Sequence, residues 1–410
     1  MMSLQSDCPA RERLGYGGDA LMTYESIALN FDASLFHEKR MRDYVDAQRP
    51  DGGYTETAPY VGMSDAGMSP NGGPIGWQSF LTAALAWGLR YHANDLAARE
   101  LYPSASAFIE LLRATPASAI EHGLGDWMTL EDSALGLTGW GFARECFAAF
   151  AAVAAAQGDA AAAAAAARDA ANATARMNAQ YLDPATPGLY RCAPASGCTS
   201  NAFNDTQCGQ ALPLYLGIVP PAQRAAAIAL LADNLARRDG HLSVGSFGVK
   251  YLLLALADAG RADLAYGILA QTTFPSFGYM LAQNATTMWE SWSYSASTFS
   301  HAHPMFGSST TYIVQSLAGI RLAPDARGAD KLLLAPQPPP RAAGLDWANV
   351  TWSTVHGDVV SAWRYTGDAA LALHFELPPN ARAVLTLPLS GKVLEVGSGA
   401  HDFTDAATQF

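Results

Sequence analysis

The sequence predicts a mainly α fold, a toroid of helical hairpins, followed by a small antiparallel β-sandwich. Three observations point there. From about residue 22 to residue 320, apolar residues recur at helical spacing, in segments separated by Gly/Pro/Asn-rich loops. Several of those loops are long and rich in Trp, Tyr, Gly or acidic residues, which suits paired helices with a site at one end. After Ile320 the texture changes to short runs of two-residue alternation.

Taken in order, helices are expected over Met22–Gln48, Gly76–His92, Asp95–Leu112, Gly139–Gln157 and Asp159–Tyr181. More are expected near Gln207–Leu216, Pro221–Arg238, Gly248–Gly260, Ala262–Gln271 and Ser309–Ile320. Ala160–Ala167 is an unbroken alanine run, the best of helix formers, and reads as a surface helix with little packing duty. The long loops are Asp51–Ile75, Asp183–Asn204 and Gln283–Ser308. Strands are expected at Val350–Val355, Val359–Tyr365, Ala370–Leu377 and Ala383–Leu389, with turns at Thr366-Gly367-Asp368 and Pro378-Pro379-Asn380. About seven short strands in this region fit a sandwich. The chain thus divides into a helical domain, residues 1–320, and a β-domain, residues 321–410.

Composition narrows the function. The 410 residues are 50% hydrophobic and 15% charged, with a formal net charge of −12, so a large core can form. The acidic balance and the lack of Lys/Arg clusters exclude a nucleic-acid partner. No run approaches the roughly 20 apolar residues of a membrane span, so no membrane partner is expected. The opening residues lack a signal peptide's basic start and apolar core, which leaves an intracellular chain or one without its beginning. Secreted and cytoplasmic locations both stay open. Cys8, Cys146, Cys192, Cys198 and Cys208 are too irregular for a disulfide framework, though one local disulfide fits the Cys192–Cys208 stretch. With no Cys-x-x-Cys pair, neither a metal nor another cofactor is expected.

Three clusters could carry chemistry. Asp7-Cys8-Pro9-Ala10-Arg11-Glu12-Arg13-Leu14-Gly15-Tyr16-Gly17-Gly18-Asp19 gathers three carboxylates on a Gly/Pro-bent segment. It reads either as a salt-bridged loop or as a site where glycines let a ligand approach closely. In Asn284-Ala285-Thr286-Thr287-Met288-Trp289-Glu290-Ser291-Trp292, one carboxylate sits between two tryptophans in a neutral stretch. That setting suits proton transfer, and equally a buried Glu bonded to backbone N–H groups. Ser300–Gly307 contains His301 and His303, better placed to donate to a substrate, or to settle in a loop, than to bind metal. Gly76-Trp77-Gln78 and Gly125-Asp126-Trp127 each set an aromatic beside a polar group, and indole faces stack on sugars.

The Asp7–Asp19 segment resembles the signature of α-L-rhamnosidases of glycoside hydrolase family 78. The likeness continues through Gln48–Gly53, Gly76-Trp77, Gly125-Asp126-Trp127, Asp205-Thr206-Gln207, Gly245–Gly248, Asp263–Tyr266, Ala285–Glu290 and Ser300–Ser308. It implies an (α/α)6 barrel that hydrolyses terminal α-L-rhamnose with inversion, a rhamnose-containing glycoside or polysaccharide being the partner. By motif position, Glu12 would be the general acid and Glu290 the general base. Asp7 and Asp19 would hold sugar hydroxyls, His303 and Asp126 would contact substrate, and Tyr16, Trp77 and Trp127 would wall the pocket. Inversion needs the two carboxyls roughly 6.5–9.5 Å apart, with water between base and sugar. The chain departs from the family by starting almost at the signature, which reads as an N-terminal truncation. Tyr16, Met288 and Ser291 are variant positions, expected to shift leaving-group preference. Another inverting (α/α)6 glycosidase, or a carbohydrate-binding remnant without catalysis, are the alternatives.

Overall fold

Apolar stripes and side-chain caps divide the first part of the chain into helices. Asn94, Asp159, Thr206 and Ser276 each accept a backbone N–H three residues on, as N-caps do. The computed structural model describes residues 4–64, 67–191, 205–294, 300–367 and 370–406. Six inner segments close a ring, each packed on the next: Gly17–Asn30, Phe80–His92, Leu135–Ala156, Gln207–Tyr215, Gly248–Asp258 and Met305–Ser309, the last returning to the first. Outside them lie Ser34–Asp46, Tyr102–Ala114, Ala160–Tyr181, Arg224–Ala236 and Ala262–Ala270. This is the predicted toroid.

Several boundaries differ from the sequence reading. The expected helix Met22–Gln48 is two, Gly17–Asn30 and Ser34–Asp46, parted where Phe31 turns extended. Asp95–Leu112 is likewise two, because Pro103 in a first turn opens the helix Tyr102–Ala114. Ile313–Leu317 widens into a π-turn rather than continuing as α-helix. Within the run Ala160–Ala167, Ala166 alone is buried, as expected of a surface segment, and the helix packs through the residues that follow. Ala166, Ala170, Ala173, Met177 and Tyr181 form a buried stripe against Leu135–Ala156. Small side chains let the two helix axes approach closely.

Among the described residues eight strands follow: β1 (Ile320–Leu322), β2 (Lys331–Leu334), β3 (Trp347–Thr354), β4 (Gly357–Gly367), β5 (Ala370–Leu377), β6 (Arg382–Thr386), β7 (Val393–Val396) and β8 (Gly399–Ala406). They make two four-stranded sheets, ordered β1-β2-β6-β7 and β3-β4-β5-β8. The second is wholly antiparallel, whereas β2 and β6 pair in parallel, so the first sheet is mixed. Alternation places Leu371, Leu373, Phe375 and Leu377 inward on β5, and Leu332, Leu334, Ala383 and Leu385 inward on β2 and β6. The strands seat on the ring through Trp352 Nε1 to Ala28 O (3.2 Å) and Trp363 Nε1 to Leu317 O (2.9 Å). Cys8, Cys146 and Cys208 are free and buried, while Cys192 and Cys198 lie outside the described residues.

Candidate active site

Most candidate residues sit at, or just before, the N-terminus of an inner helix, so ring closure brings them to one mouth. Asp7 to Tyr16 precede Gly17–Asn30, Trp77 precedes Phe80–His92, and Trp127 precedes Leu135–Ala156. Glu290 and His303 precede Met305–Ser309. A cavity of about 150 Å³ opens there, lined by Asp7, Glu12, Tyr16, Asp19, Trp77, Trp127, Glu290 and His303.

The signature segment is a closed loop. Asp7 N donates to Leu14 O (3.0 Å), and Asp7 Oδ1 accepts from Leu14 N (2.8 Å). Asp7 Oδ2 accepts from the Cys8 thiol at 2.9 Å. Buried Arg40 clamps the segment from behind, binding the carbonyls of Gln5 and Tyr16. Gly17 and Gly18 make room for protein rather than for ligand: a Cβ there would lie 2.1 Å from Trp77 O and 2.6 Å from the Trp77 ring. The glycines therefore seat Trp77, which corrects the expectation that they admit a sugar.

Glu290 is buried and held from three directions. Its Oε2 accepts from Ser300 N (3.0 Å) and Arg11 Nη1 (3.3 Å), and its Oε1 faces Trp127 Nε1 (3.4 Å). Glu12 is half-exposed and meets Arg11 Nη2 at 2.6 Å. Partial burial alone would raise its carboxyl; the Arg11 guanidinium, together with hydrogen bonds from Asp7 and Tyr16, outweighs that and holds it below the usual value. Burial raises Asp7, and raises fully buried Asp19 well above the carboxylate range, with the Asp7 charge adding to the second. His303 Nε2 stands 3.3 Å from Asp19 Oδ1. Burial pushes His303 down to about 4, with Arg11 adding to it, so this contact joins a neutral imidazole to a carboxyl that resists ionisation. Asp19 Oδ1 is fully buried and has no hydrogen-bond partner beyond this long His303 contact.

Asp126 departs from its expected role. Its carboxylate accepts from the backbone N–H groups of Gly245 (2.7 Å), Phe247 (3.1 Å) and Gly248 (2.8 Å), leaving it committed to the fold, not to a substrate. It caps the helix Gly248–Asp258 and fixes the turn that carries Trp127. Sequence reasoning also missed Arg11, Glu56, Met63, Leu124 and Met305, which complete the lining. Glu56 was findable: like Glu290, it is a lone carboxylate in a neutral stretch, Tyr54-Thr55-Glu56-Thr57. Among the described residues, no cluster of three His, Cys, Asp or Glu could hold a metal ion, and no helix is long and apolar enough to cross a membrane.

Comparison with known proteins fits this geometry. A family model described as the bacterial alpha-L-rhamnosidase 6 hairpin glycosidase domain matches residues 1–317, and one described as the bacterial alpha-L-rhamnosidase C-terminal domain matches 319–402. The chain is 29% identical to an alpha-L-rhamnosidase of Streptomyces avermitilis over 98% of this chain and 39% of that protein. The solved alpha-L-rhamnosidase of Dictyoglumus thermophilum superposes with a TM-score of 0.87 at 26% identity, covering 98% of this chain and 47% of that one. The Streptomyces avermitilis alpha-L-rhamnosidase complexed with L-rhamnose gives a TM-score of 0.84 at 28% identity, covering 98% and 39%. The chain thus spans less than half the length of these relatives.

Proposed function

Because the chain belongs to the bacterial α-L-rhamnosidase six-hairpin glycosidase family, we propose that it releases terminal α-L-rhamnose from glycosides or polysaccharides by an inverting acid/base mechanism. The observation that carries this is the pairing of Glu12 and Glu290. Each lies within reach of the same guanidinium, at 2.6 and 3.3 Å, in a cavity walled by Tyr16, Trp77 and Trp127. Glu12, half-exposed toward the mouth, protonates the departing oxygen. Glu290, fixed by Ser300 and Trp127, takes a proton from water as that water attacks the anomeric carbon from the opposite face. One proton goes out with the aglycone and one comes in from water, and the α-glycoside yields β-configured sugar. Asp7, Asp19 and His303 orient hydroxyls, the Asp19 Oδ1 that only His303 approaches being open to a stronger partner. The helical ring and the strands from Ile320 act as catalytic and supporting domains respectively.

The test is hydrolysis of aryl α-L-rhamnoside against a panel of other aryl glycosides, with the first-formed anomer followed by proton NMR. Preferential cleavage of the rhamnoside with β product is expected. Preference for a different α-linked sugar would move the specificity, and an α product would overturn the roles of both glutamates.

A further inference from the structure

A general acid must carry a proton before it can give one, yet Glu12 is tied to a cation. Arg11 Nη2 lies 2.6 Å from Glu12 Oε1, while Nη1 of the same guanidinium lies 3.3 Å from Glu290 Oε2. The guanidinium therefore spans the gap between acid and base, where the glycosidic bond and the attacking water have to sit. We propose that Arg11 is a latch that keeps Glu12 ionised in the empty enzyme and that substrate displaces, so that Glu12 takes up its catalytic proton only when the site is filled. The inference rests on the reading of Glu12 as acid and Glu290 as base.

The surroundings support a latch of this kind. The groups facing Glu12 are Asp7, Cys8, Arg11 and Tyr16 on its own segment, Asp19 on the first inner helix, Glu56 on the following loop, and Glu290 and His303 on the last loop. His303 is held neutral by burial, which leaves Arg11 as the cation among these lining residues. With Arg11 withdrawn, burial favours the protonated acid and is opposed by the hydrogen bonds that Asp7 and Tyr16 make to Glu12. Glu290 keeps its bonds from Ser300 N and the Trp127 indole, so the base stays placed when the latch opens. Arg11 and Glu12 are each partly exposed, so the bridge is weak enough for a ligand to break. The cycle balances. Solvent gives Glu12 one proton on binding, Glu12 gives it to the glycosidic oxygen, and Glu290 returns to solvent the proton it took from water.

Rates against pH on an aryl α-L-rhamnoside separate the free and filled states, since kcat/KM reports the free enzyme and kcat the complex. The alkaline limb of kcat/KM should lie about half a pH unit below that of kcat. In Arg11→Gln the two limbs should coincide at the higher value, and Arg11→Lys should restore part of the gap. Binding of a non-hydrolysable aryl thio-α-L-rhamnoside, followed by calorimetry in buffers of different ionisation heat, should show proton uptake that Arg11→Gln abolishes. Coincident limbs in the unsubstituted chain, a gap that survives in Arg11→Gln, or thioglycoside binding without proton uptake would overturn the latch. Glu12→Gln tells that failure from failure of the underlying reading. It should delete the alkaline limb, and a limb that persists would show that Glu12 is not the acid.

Discussion

The mouth of the ring and the lumen beneath it are built from the same materials and put to different use. Both hold buried carboxylates near a cation and aromatic rings. In the lumen, Glu25 is fully answered: Lys250 Nζ at 2.6 Å, Tyr91 OH at 2.8 Å and Gln315 Nε2 at 3.3 Å. Lys250 also stands 5.3 Å from the Trp87 ring centroid. Burial would raise Glu25, but the Lys250 charge and hydrogen bond reverse that and keep it ionised. At the mouth the cation is exposed and shared, Asp19 Oδ1 has only the long contact with His303, and Asp7 and Asp19 are raised rather than lowered. A satisfied ionic network stabilises a fold, whereas groups left partly unanswered around a cavity are available to a ligand.

Substitutions should separate the two regions. Glu290→Gln keeps the shape of a side chain held by Ser300 N and removes the base, so turnover should fall about 10²- to 10⁴-fold. Its melting temperature should hardly move. Steady-state kinetics beside thermal unfolding checks both, and a large loss of stability would place Glu290 with the lumen groups. Lys250→Ala should do the reverse. It leaves Glu25 charged and buried without its partner, which costs about 3–5 kcal/mol of stability measured by denaturant unfolding. Lys250→Ala retaining full stability would show that Glu25 simply takes a proton instead.

How much of this could be read in advance follows from what a sequence encodes. The Asp7–Asp19 segment stood out because glycines and a proline break any helical explanation for its carboxylates, and Glu290 because it is a lone carboxylate between two tryptophans in a neutral stretch. The ring was legible from helical spacing, since an inner helix must bury its stripe. Partners were not legible. Nothing in Gly125-Asp126-Trp127 reveals that the carboxylate meets three backbone N–H groups more than a hundred residues away. Nor does alternation along β2 and β6 say that they pair in parallel, because the two-residue period fixes faces and not neighbours. Arg11 was quoted in the motif, but its bridge to Glu290, 279 residues on, exists only once the ring closes.

Asp126 is the intermediate case, a mouth residue used as a structural one. Asp126→Ala should cost about 1–3 kcal/mol by leaving buried N–H groups without an acceptor. Burial lifts its carboxyl to about 6, against the pull of the N–H groups of Gly248 and Gly245. The unfolded value is near 3.9. Between these two values the folded chain binds the extra proton, so its stability falls as pH rises through that window. Asp126→Asn should flatten this part of the profile, leaving the share of Glu145, which burial also lifts to about 6. An unchanged slope would remove Asp126 from the account.

The smallest effect belongs to the outer face of the β-sandwich, where a third charged group can be compared with the first two. His374 on β5 lies 2.8 Å from Asp402 on β8 and 3.1 Å from Glu376, all three well exposed. The hydrogen bond to Asp402, then that to Glu376, raises the imidazole above its ordinary value. A raised histidine stabilises the fold fully below its unfolded pKa, and the contribution disappears as pH rises through the folded one. Water screens such a pair, so Asp402→Asn should cost less than about 1 kcal/mol at pH 5 and nothing at pH 9. The measurement is denaturant unfolding at both values, with high salt shrinking the pH 5 difference further. A loss at pH 5 as large as that of Lys250→Ala would break the ranking, because it would mean that burial does not set the strength of these ion pairs.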